Sequence, residues 1–163
     1  MADIAFLLTR SDTPPDPTLV VEHAAAFDIP LETNSDSSPD GATELTSFGF
    51  TNGRPGIMVC TFLPVPHPDA ASMAVGPLSP TADDIATVRS HIILVGFGIE
   101  GTTADREAVM YLFTAAVAQA TDAVAAMLGP ADNFHRADAF LDLVSQIPND
   151  GVPPGLQMRE TRG

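Results

Sequence analysis

Residues 3–97 predict an α+β fold: a ferredoxin-like split sheet, β-α-β-β-α-β, extended by a long helix, a candidate fifth strand and a C-terminal helix. Three observations predict it. Apolar runs of strand length recur at residues 4–8, 57–63 and 92–95. Stretches with apolar residues at helical spacing lie between and after them. Prolines and glycines punctuate the junctions.

Each element has its own local reason. Residues 3–9 carry Ile4-Ala5-Phe6-Leu7-Leu8, a short buried strand. The SDTPPDP segment starts a helix over residues 18–27, where Leu19, Val20, Ala24 and Phe27 share a face. Ile29-Pro30 ends it, because the residue before proline avoids the helical region. Residues 33–41 (TNSDSSPDG) are polar and read as a loop. Residues 44–50 and 56–63 form a hairpin, with Asn52-Gly53 supplying the positive φ of its turn. The second arm is almost wholly apolar, which suits a central strand. Pro64, Pro66 and Pro68 break it, and a short helix is expected over residues 69–75. Thr81 caps a helix reaching about Arg89, with Asp83 and Asp84 in its first turn.

Residues 91–97 contain Ile92-Ile93-Leu94-Val95, the clearest buried strand. The long helix follows over about 104–121, with Val109, Leu112, Phe113, Ala116 and Val117 as one apolar stripe. Residues 123–128 admit either helix continuation or a strand, and a strand is favoured. A last amphipathic helix is expected over 136–147, carrying Ala139, Phe140, Leu143 and Val144. Residues 1–147 then form one domain and 148–163 a Pro/Gly-rich tail.

The chain has 163 residues, enough to bury a core without a disulfide or metal. No apolar run is long enough for a membrane span, and Asp3 spoils a signal peptide. Cys60 is the single cysteine, set in the apolar run IMVC. These features predict a cytoplasmic protein. There are 21 acidic residues against 7 basic ones, all arginine, for a net charge of -14. That balance repels phosphate backbones and anionic membranes, so neither nucleic acid nor membrane is expected. A basic protein partner fits it. Solubility alone explains the charge slightly better.

Gly96-Phe97-Gly98-Ile99-Glu100-Gly101 matches the spacing of a dinucleotide fingerprint. It lies mid-chain, Thr102-Thr103 intervene before the helix, and no second strand ends in a suitably placed acid. A glycine-rich strand exit is the preferred reading, and no cofactor is expected. The histidines at 23, 67, 91 and 135 show no i, i+3 or i, i+4 pair, so no metal site is expected. There is no nucleophile elbow and no carboxylate pair on an apolar background, so no catalytic residues are assigned. Enzyme activity stays open, with the balance against it.

Several blocks resemble an uncharacterised bacterial family known only as a domain of unknown function. They are IAFLL at 4–8, MVCTFLPVPHP at 58–68, RSHIILV at 89–95, the stretch 111–140 and PPGL at 153–156. The family has a central tryptophan that this chain lacks, and further strands beyond the matched blocks. The resemblance implies a small cytosolic α+β protein, in some cases encoded near secretion and toxin loci, with an immunity or accessory role.

The expected function is therefore a non-enzymatic interaction protein masking a basic protein. The alternative is a small enzyme or ligand-binding domain with a site at the loop 64–68, formed by His67, Asp69 and His91.

Overall fold

The computed structural model describes residues 3–27, 29–33, 44–53, 55–67, 80–128 and 134–145. The expected helix at 69–75, with Asp69, and the tail at 148–163 lie outside them. Seven strands form one antiparallel sheet. In chain order the elements are β1 (Asp3–Thr9), α1 (Pro17–Ala26), β2 (Leu31–Thr33), β3 (Glu44–Phe50), β4 (Ile57–Leu63) and α2 (Ala82–Ala86). Then follow β5 (Ser90–Phe97), α3 (Thr103–Gln119), β6 (Ala123–Leu128), β7 (Phe134–Arg136) and α4 (Ala137–Val144). The α+β class holds, and residues 123–128 are a strand.

The strand order is β2-β3-β4-β5-β1-β6-β7. This corrects the ferredoxin-like expectation, in which β4 would lie beside β1 and β5 on β1's far side. Instead β5 stands between β4 and β1. The physical reason is α2. It has five residues and buries none of them, so it cannot serve as the second crossover helix of a split unit. The long helix α3 takes that role one element later. β5 and β6 both pair antiparallel with β1 and flank it, so β5-α3-β6 is the split unit.

Alternation sorts the sheet's side chains onto two faces. Ala5, Leu7, Phe48, Phe50, Met58, Cys60, Phe62, Ile92 and Leu94 join the helix-side core. There α1, α3 and α4 cover them, with α3 packed against β1, α1 and α4. The expected stripe on α3 is buried, but burial goes further: every residue from 111 to 118 is buried. Neighbours on three sides explain this. Where the two central strands β1 and β5 end, the Thr9 and Ser90 hydroxyls bond each other, and Ser90 donates to the Ser11 carbonyl at 2.7 Å. These buried polar groups are thereby satisfied.

Helix α3 starts with a reciprocal cap. The Thr102 hydroxyl accepts from the Asp105 N–H at 3.1 Å, and the Asp105 carboxylate accepts from the Thr102 N–H at 2.9 Å. Thr81 and Asp84 repeat the device on α2. The Thr81 backbone N–H holds the Asp84 carboxyl below its ordinary range, and the bond to the Thr81 side chain adds to this. Thr102→Ala should cost about 1 kcal/mol through the lost cap. A shift of the urea midpoint at unchanged slope would register it; an unchanged midpoint would mean α3 needs no cap.

Candidate functional site

Among the described residues the second face of the sheet is covered toward one end. Read across the register, its rows are Ile57–Phe97, then Ser47–Val59–Val95–Ile4, then Leu45–Thr61–Ile93–Phe6–Met127, and lastly Leu63–His91–Leu8–Ala125. Over the last two rows, Val88 and the α2 residue Ile85 pack with Leu8, Val124, Met127 and Phe6. Val124 joins this cluster because a bulge opposite Leu8/Thr9 leaves it as the extra residue of β6.

The loop after β4 covers His91. Because Leu63 pairs with His91, the chain leaving β4 passes directly over that side chain. His91 is 6% exposed, and its Nδ1–H donates to the Val65 carbonyl at 2.7 Å. A carbonyl only accepts, so that bond fixes the tautomer with the proton on Nδ1. The His67 ring meets His91 edge-on, with centroids 5.2 Å apart. His67 also meets Phe6, at 5.4 Å and again edge-on. Two of the three expected ligand residues, His67 and His91, are thus brought together. His23 on α1 and His135 on β7 stay apart from them. Among the described residues no group of three or more His, Cys, Asp or Glu is placed to hold a metal ion.

Among the described residues the first two rows have no such cover. Ile4 is 49% exposed, Ile57 46% and Phe97 49%, and Val59 and Val95 between them are half-buried. On three adjacent strands this makes one contiguous apolar patch. Sequence reading missed it, because β4 and β5 look like strands buried on both faces. The signal that could have found it is the lack of a second long apolar helix for that face: α1 and α3 already belong to the other layer.

The glycine-rich segment has a packing explanation. A Cβ on Gly96 would lie 2.7 Å from both Ile99 Cδ1 and Met110 Sδ, so glycine lets α3 approach β5. Gly101 sits at φ +121, where a Cβ would fall 2.8 Å from Asp105 Cβ. Helix N-termini attract phosphates, but the first turn of α3 already receives the Asp105 carboxylate. An incoming phosphate would meet that charge.

No family model, curated protein or solved structure matches this chain. Among the described residues no helix is long and apolar enough to cross a membrane. Several arginines are tied to carboxylates: Arg10 to Asp122 at 3.3 Å, Arg89 to Asp12 at 3.2 Å and Arg136 to Asp138 at 3.2 Å. The acids among the described residues are distributed over α1, α2, α3, α4, β2 and loops, so their charge alone marks no single face.

Proposed function

We propose that this chain is a non-enzymatic binding protein that takes a basic protein partner on the open face of its sheet, in the immunity-type or accessory role that the bacterial resemblance implies. The observation that carries the reading is the cluster of half-exposed Ile4, Ile57 and Phe97 on adjacent strands. Contiguous apolar surface of this kind marks interaction sites. The net charge of -14 then selects among partners: it attracts a basic protein and repels an acidic one.

The test is affinity capture from the native host, followed by kinetics with the purified partner. The captured protein should be basic. Its association rate should fall as salt rises, while dissociation changes less, because screening acts on the encounter. Phe97→Asp should weaken it. A partner that binds the Phe97→Asp variant as well as the parent, at a salt-independent rate, would end the proposal.

The contact of His67 with His91 favours a second reading, a small-ligand site at that corner. There His91→Ala would abolish ligand binding and Phe97→Asp would not.

A further inference from the structure

We infer that the partner presents a short amphipathic helix with cationic flanks, seated across β4, β5 and β1 on Ile4, Ile57, Val59, Val95 and Phe97. This inference rests on the binding function proposed above and specifies its occupant.

Dimensions are the first argument. Neighbouring strands lie about 4.8 Å apart, so the side chains from β4 to β1 span about 10 Å. A helix with its side chains is about 10–12 Å across, so one helix fills that width. Along the strands, the step from Ile57 to Val59, or from Phe97 to Val95, is about 7 Å. With the side chains at either end, this accommodates about two helical turns at roughly 5.4 Å per turn.

The sheet edges supply the second argument. An added strand would need a long free edge, but among the described residues the edge strands β2 and β7 have three residues each. Such short edges offer few backbone hydrogen bonds, so strand addition is the poorer mode. The opposite face of the same sheet is covered by helices, and a helix is what a flat apolar sheet face accepts.

Charge is the third argument. Exposed Asp83 stands on α2, whose Ile85 packs over the neighbouring rows, and the acids behind the net charge of -14 add to its field. Cations flanking the helix's apolar stripe would meet them. A second copy of this chain would bring another -14 to the same contact, which disfavours self-association through this face.

The experiment uses three synthetic peptides: a leucine/lysine helix with its leucines on one face, a leucine/glutamate helix of the same pattern, and a scrambled leucine/lysine peptide with no apolar face. Binding is read by fluorescence anisotropy and by amide-shift mapping on the full chain. The patterned leucine/lysine peptide should bind best and shift amides at Ile4, Ile57, Val59, Val95 and Phe97. Phe97→Asp and Ile57→Asp should each weaken it roughly tenfold or more. Both positions are half-exposed, so neither variant removes core packing. Equal binding of the scrambled peptide, or shifts confined to other faces, would overturn the helix. So would a dimer in sedimentation that Phe97→Asp dissociates, since the face would then belong to a second copy. If the captured partner depends on Phe97 while no helical peptide binds, the helix is wrong and the binding function stands. If capture ignores Phe97, the function itself fails.

Discussion

Phe113→Ala should destabilise the protein by about 3–5 kcal/mol. Phe113 has no exposed surface and lies on α3, where the helix layer meets the sheet. Its ring meets Phe48 of β3 edge-on at 5.6 Å, so the truncation removes an aromatic pair and leaves a cavity under a helix that cannot sink. A typical domain has about 5–15 kcal/mol in total, so this one change removes a large part of it. Denaturant unfolding monitored by circular dichroism would measure the loss. Leu112, at the flank of the same helix and 9% exposed, should cost less when cut to alanine. A Phe113→Ala variant within about 1 kcal/mol of the parent would mean that the sheet and α3 repack freely, against the close packing described.

The second large effect is chemical. Burial pushes the Cys60 thiol from its ordinary 9.0 up to about 12. Cys60 lines a narrow crevice together with Pro14, Pro15, Val20, Phe48 and Phe62, and is itself 4% exposed. The thiolate is the reactive form, so at mildly alkaline pH its fraction falls about a thousandfold relative to an ordinary thiol. Ellman's reagent should label the native protein only as fast as it opens, and denaturant should restore an ordinary rate. Rapid labelling without denaturant would show the strand β4 to be open on its helix side.

The same shift makes stability depend on pH. Above 9.0 the unfolded thiol loses its proton and the native one keeps it, so the unfolded state binds fewer protons. The stabilisation is complete below 9.0 and is lost as pH rises toward about 12. The chain has no lysine and one tyrosine, so few other side chains titrate in that window. Cys60→Ala should flatten the alkaline limb of the stability curve.

Much of the fold was legible because long elements carry many votes. The 17 residues of α3 hold its apolar spacing over several turns, and β5 is apolar for most of its length. β2 and β7, with three residues each, hold less than two periods of alternation, and both went unread. The sheet order was misread because a capped five-residue α2 looks in sequence like the start of a longer crossover helix. What decides its role is how much it buries, and that is a tertiary quantity. The meeting of His67 with His91 was partly legible, since a loop leaving one strand lies over that strand's neighbour. The open patch was not, because an apolar residue on a strand reads the same whether or not anything covers it.

The central place of β1 sets the order in which the molecule can assemble. The ribosome makes this strand before its neighbours, yet its two partners are β5 and β6, and the Thr9–Ser90 contact alone spans 81 residues. Closing loops of that length is slow, and non-local pairing lowers folding rates. While the rest of the chain is being made, β1 is an apolar segment with no strand to pair with. The hairpin of β3 and β4 can form early, but β1 cannot gain its second neighbour until residue 128 has left the exit tunnel. A chaperone holding residues 4–8 through that interval should raise the yield of folded protein, most of all when translation is slow.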